Sequence, residues 1–450
     1  MKNRFAIAST QVCTPTGSRP AVVVVSGEKI ESIVSMEDFA GDVACDHVGD
    51  LMISPGVIDT HVHINEPGRT DWEGFETATA AAAAGGTTTI IDMPLNSTPV
   101  TTTVAALREK QNAARRKCRV DVGFYGGLVA DNLESIPALL TAGVFGIKSF
   151  LCDSGLDEFP ATSETDLRAV LPILRDAQVP LLVHAELVDE SEAATITNER
   201  SYLQYLASRP KEWELTAIEM LARLCREFQA PIHVVHVATQ EAAKLIRKCK
   251  TENLPISFET CPHYLFFNAE QVADGDTRFK CAPPIRSAIG NHVETLWSLL
   301  SGNMIDTIGS DHSPCPPEMK SLDTGRFKKA WGGIAGLQFS LSVMSTLAHR
   351  NKLPPERLAD WMSKNPARLA GLHHSKGELA AGMDADIVVW DPNAEFTVEA
   401  ANIFHRHKIT PYDGEILRGK VQRTYVRGNL VFQNGNQMGA PIGKLLERPK

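Results

Sequence analysis

The chain has 450 residues, 43% of them hydrophobic, enough to bury a large core and to form one big domain with a smaller companion. Lys and Arg number 45 against 54 Asp and Glu, a formal charge of -9 with no basic block, which argues against nucleic acid or an anionic membrane surface as a partner. No run of about 18 apolar residues is present to span a membrane, residues 1–8 are too poor in apolar side chains for a signal peptide, and the nine cysteines are an odd number without a CxxC pair. A cytoplasmic protein with reduced thiols is therefore expected.

In chain order, residues 1–52 are short β-type pieces such as 21–25 and 29–34, punctuated by Gly and Pro. The same texture returns in 385–392 and 424–432. Short strands need partners, so the two chain ends (1–52 and 376–450) are expected to combine into one small β-sandwich flanking a central domain at 53–375.

The central domain opens with Val57-Ile58-Asp59-Thr60-His61-Val62-His63, an apolar, β-branched run that predicts a buried strand. Side chains two apart on a strand share a face, so His61 and His63 can reach one metal ion, or simply occupy a wet strand face. Further strands are expected at 87–93, 120–125, 144–150, 180–186, 232–237, 256–261 and 307–312. Helical stretches lie between most of them, including the Ala-rich 75–84 closed by Gly85-Gly86, and 214–227. This alternation predicts an α/β fold, a parallel (β/α)8 TIM barrel.

Such barrels place their chemistry where the strands end, and the polar residues finishing these strands are His61, His63, Lys148, His184, His236 and Asp311. Together they offer nitrogen and oxygen donors for two divalent metals. Taken singly, His184 and His236 also read as core histidines, and Asp311 as a structural carboxylate. His233, three residues before His236, is expected on the opposite strand face with a structural role. Lys148 has two readings. A buried amine that captures carbon dioxide becomes an anionic carbamate able to bridge metals; alternatively, its stem snorkels from the strand end.

His61-Val62-His63, Gly146-Ile147-Lys148-Ser149-Phe150, His184, His236 and Gly309-Ser310-Asp311-His312-Ser313-Pro314 together resemble the cyclic-amidohydrolase branch of the amidohydrolase superfamily. The stretch 377–386 resembles that family's return to the sandwich. The resemblance implies a binuclear centre, usually zinc, bridged by hydroxide and by Lys148 as N6-carboxylysine. His61, His63 and Asp311 would hold one metal, His184 and His236 the other; cobalt, manganese or nickel suit the same donors. It also implies a homotetramer, whose contacts a helix expected over 333–350 or the sandwich edges would carry.

Within the branch, segments 66–69, 92–96, 154–160, 259–264, 313–320 and 331–338 are most similar to the members that open the hydantoin ring of the small molecule allantoin. Dihydroorotase relatives carry an arginine two residues after the second histidine, where this chain has Asn65, an uncharged contact suited to a substrate without a carboxylate. Hydantoinase and dihydropyrimidinase relatives place a tyrosine in the loop occupied here by Leu151-Cys152-Asp153-Ser154-Gly155. Asp311 is expected to take the proton of the attacking water and pass it to the leaving nitrogen. Arg69, Asn96 and His263 are expected at the same mouth, as substrate contacts or as supports. His312 is expected to pack on the opposite face, and Cys152, Cys261 and Cys315 to act as small fillers rather than nucleophiles.

Overall fold

The computed structural model describes residues 4–290 and 292–449; Met1 to Asn3, where the leader reading begins, lie outside the described residues. From Arg4 the chain forms β1 (Arg4–Thr14), β2 (Gly17–Ser26) and β3 (Lys29–Val34) as an antiparallel ladder in which Ala6–Ser9 and Ala21–Val25 are buried without a break. Two short strands, β4 (Cys45–His47) and β5 (Met52–Pro55), then run parallel to β1.

The central strands are parallel and almost wholly buried on both faces, the polar residues within them included. Strands β6 (Val57–Val62), β7 (Thr87–Asp92) and β8 (Asp121–Phe124) form one sheet. The other contains β9 (Gly126–Gly127), β10 (Ile147–Phe150), β11 (Leu181–His184), β12 (Ile232–Val234), β13 (Ile256–Thr260) and β14 (Thr307–Ile308). Backbone bonds join the sheets at both edges: Phe145 N donates to Phe124 O at 2.9 Å, and His63 N to His312 O at 2.8 Å. All eight expected strands are present. Several are shorter than expected because their C-terminal ends peel into loops.

Helices Phe75–Ala84 and Glu212–Phe228 match their sequence signals to within two residues. The helix expected over 333–350 starts only at Ser340, after a tight turn at Leu337–Phe339. The alanine run lets its helix press close: Ala81, Ala82 and Ala83 are fully buried, and a Cβ on Gly85 would stand 2.6 Å from the Gln338 carbonyl oxygen. No described helix is long and apolar enough to cross a membrane.

After the central domain the chain returns as β15 (Ile387–Thr397), which pairs antiparallel with β5 and sets Val389 opposite Ile53. Then β16 (Ile416–Val426), β17 (Asn429–Gln433) and β18 (Asn436–Gln437) extend the sheet outward. The two chain ends thus share one nine-stranded mixed sheet whose core includes Ile7, Val23, Val25, Ile53, Ile387 and Val389. The stretch 424–432, read from sequence as a single β piece, is a hairpin instead, because Arg427 and Gly428 both adopt positive φ (45° and 73°).

Residues 442–448 run back under the central strands. Val122 N bonds Lys444 O, Leu446 N bonds Val122 O, and the Arg448 guanidinium donates to Phe145 O and Leu369 O. This segment covers the junction between the two parallel sheets.

Candidate metal centre

The buried β6 run delivers His61 and His63 to one side of the strand end. Their Nε2 atoms lie 3.2 Å and 3.4 Å from the same oxygen, Oδ1 of Asp311. His184 ends β11, and its Nδ1 faces His236 Nε2 at 2.9 Å. The His61 and His236 rings are 5.4 Å apart between centroids, so the two groups adjoin. His236 and Asp311 both lie past their strands at left-handed backbone angles (φ 42° and 46°), a conformation sparsely populated by residues other than glycine.

Lys148, in β10, is wholly buried and its Nζ has no hydrogen-bond partner among the described residues. Burial pulls its ammonium down to about 8, with the charges of Asp311 and Glu259 pulling the other way. Phe150 braces this corner, with Lys148 Nζ 4.9 Å from its ring centre and the His184 ring stacked on it at 4.5 Å.

These residues suit divalent metals. Imidazole and carboxylate bind zinc at about 2.0–2.2 Å, so two ligands on one ion stand roughly 3–3.5 Å apart, close to the 2.9, 3.2 and 3.4 Å observed. Burial lowers His63 to about 4, against the pull of Asp311, and drives His184 and His236 down as well, which keeps these imidazoles neutral. Asp311 is held ionised: burial pushes its carboxyl up, but the rings of His61, His63 and His263 bring it below the ordinary range.

Outer nitrogens are taken by supports, of which sequence reasoning named Asn96 and missed Glu259 and Glu186. His61 Nδ1 donates to Glu259 Oε1, and His184 Nε2 to Glu186 Oε2 at 2.8 Å. Asn96 Nδ2 lies 3.4 Å from His63 Nδ1. Glu186 stands two residues after His184 and Glu259 near the end of its strand, so strand position was a usable signal for both. Cys152, His184 and Glu186 also cluster, but the Arg209 guanidinium grips Glu186 and disfavours a cation there. Burial pushes the Cys152 thiol up to about 12.

A cavity of about 540 Å³ opens above the centre, lined by His61, His63, His184, His236 and Asp311 together with Asn96, Asp153, Ser154, Arg209, Lys280 and Trp331. Lys148 lies beneath its floor. Arg69, expected at the mouth, is outside the cavity: it pairs with Glu158 at 3.1 Å, donates to Ser97 O and lies over Trp72. His263 is buried behind the lining, pulled down to about 4 by burial with Asp311 opposing. Asn65 is no substrate contact either, being buried and donating to Pro314 O at 3.2 Å.

His233 does not face outward. Its Nδ1 is 2.8 Å from Ser257 Oγ and its Nε2 is 3.6 Å from Glu259 Oε2, because β12 ends at Val234 and the left-handed His236 breaks the alternation. His312 packs away from the centre, 3.5 Å from Glu73 and against His405.

The Amidohydrolase family model matches residues 52–431, a span that contains every one of these side chains. The chain belongs to the amidohydrolase family. Among amidohydrolase relatives, it is 43% identical to an allantoinase from Arabidopsis thaliana, covering 98% of this chain and 91% of that protein. It is 44% identical to an allantoinase from Streptomyces avermitilis, covering 99% and 98%. The solved L-hydantoinase (dihydropyrimidinase) from Arthrobacter aurescens superposes over the full length of both chains with a TM-score of 0.91 at 31% identity, so the two share one α/β fold.

Proposed function

We propose that the chain is an allantoinase, a cyclic amidohydrolase that opens the hydantoin ring of allantoin by hydrolysis to allantoate. The observation that carries this reading is the near full-length similarity to allantoinases from a plant and a bacterium. The histidine and aspartate cluster at the cavity floor supports it, as does a 151–155 loop without tyrosine.

Two divalent metal ions, zinc or in its place cobalt, manganese or nickel, would be held by His61, His63 and Asp311 on one side and His184 and His236 on the other, with Lys148 between, and would supply an ionised water and a polarised ring carbonyl. The Lys148 amine adds to carbon dioxide, forming an N–C bond and releasing a proton, to give an anionic carbamate. Asp311 receives the proton of the attacking water at a carboxylate oxygen and returns it to the departing ring nitrogen as the C–N bond breaks. Asn96, Arg209 and Lys280 present donors to the substrate's oxygens, and Trp331 walls the cavity. In the same reading the parallel strands at 53–375 close as a (β/α)8 barrel, with the shared sheet of 1–52 and 376–450 folded as a sandwich. A homotetramer and a cytoplasmic location complete it.

The hydantoinase-like fold makes a hydantoin or dihydropyrimidine ring the alternative substrate. Initial rates of the purified zinc-loaded chain on allantoin, hydantoin and dihydroorotate separate these readings. Allantoin is expected to exceed the others by at least about 10²-fold in kcat/KM, roughly 2.7 kcal/mol of discrimination; undetectable allantoin opening overturns the proposal.

A further inference from the structure

Glu259 stands where the two halves of the centre meet. It is 1% exposed, and its Oε1 accepts hydrogen bonds both from the His61 ring at the end of β6 and from the backbone N–H of His236 at 3.3 Å. The other oxygen has no hydrogen-bond partner among the described residues and lies 3.6 Å from His233 Nε2. Space for the carboxylate is made by Gly309, where a Cβ would stand 2.7 Å from Glu259 Oε2 and 2.9 Å from His61 Cβ. Glu186 differs: among the candidate ligands it holds the His184 ring alone.

We propose that Glu259 is a positioning residue that sets the two metal positions relative to one another, by tying the His61 ring and the His236 backbone to a single carboxylate oxygen. Because His236 sits at a left-handed φ, its ring direction depends on what holds its N–H, and Glu259 does so while fixing His61 Nε2 toward Asp311. The two halves then move together, and Gly309 is required so that the carboxylate can lie between them. The inference rests on the binuclear reading given above.

The test is zinc titration of the metal-free full chain against a chromophoric chelator, in wild type, Glu259→Gln, Gly309→Ala and Glu186→Gln, alongside thermal unfolding of the metal-free proteins. Wild type taking up two zinc ions supports the binuclear reading, and one or none sinks that reading separately. Relative to wild type, Glu259→Gln is expected to weaken both binding steps 10- to 100-fold, whereas Glu186→Gln weakens one, with metal-free unfolding midpoints unchanged. Both steps at wild-type affinity in Glu259→Gln, or a single step weakened, overturns the proposal. Should Glu259→Gln not fold, Gly309→Ala, which keeps the carboxylate but displaces it, decides in the same way: two weakened steps support the proposal, and wild-type binding overturns it.

Discussion

The two halves of the centre are built by different means. His61 lies at the end of one strand and His63 directly follows that strand, and the spacing of two puts both rings on the side that Asp311 reaches. His184 and His236 come from neighbouring strands, one at its end and the other past it at a left-handed φ. The first pair is therefore set by local geometry. The second is set by packing, namely Phe150 against the His184 ring, Glu186 behind it and Glu259 on the His236 N–H. A ligand pair made by a strand's own period tolerates change around it better than a pair assembled across two strand ends.

The largest break in that comparison is a change that spares neither half. Lys148→Ala removes a buried amine beneath both, and it is expected to abolish bound metal and lower turnover at least about 10⁴-fold, a barrier increase of roughly 5.4 kcal/mol. Adding a short carboxylic acid should restore part of both, and metal analysis with an activity assay reads each directly. Retention of full metal content by this variant would exclude Lys148 as a bridge. Asp311→Asn acts on one half. Turnover is expected to fall about 10²–10⁴-fold, as for a lost proton-transfer group, and the metal beside His61 should weaken while the one beside His184 keeps its affinity. The smallest effect is expected from Arg69→Ala. Its ion pair with Glu158 lies outside the cavity, so kcat/KM should stay within about 2-fold and stability within about 1 kcal/mol; a larger drop in kcat/KM would place Arg69 back in the site.

The same contrast explains what could be read from sequence. Eight parallel strands were legible because most carry clustered apolar or β-branched residues and alternate with helical stretches, and the His61/His63 pair because spacing of two means a shared face. His184, His236 and Asp311 could be found only as polar residues finishing strands, since their approach to one another is tertiary. Alternation misplaced His233, for it does not continue past Val234 into a left-handed residue. Asn65 was expected as an uncharged contact from its place opposite the arginine of dihydroorotase relatives, and Arg69 as a contact or support from its loop at the mouth, yet the loop turns both side chains toward other protein groups. The hairpin at Arg427-Gly428 escaped notice because arginine is unusual at the first positive-φ position, where Asn or Asp is the common signal.

The segment 442–448 sets a timetable for folding. Arg448 bonds Phe145, 303 positions earlier in the chain, so during synthesis the junction it covers waits uncovered while nearly the whole central domain has already emerged. Until then the peptide groups of Val122 and Phe145 that this segment will bond stay open to water, and the nascent protein in that interval is more exposed to misassociation than the finished one.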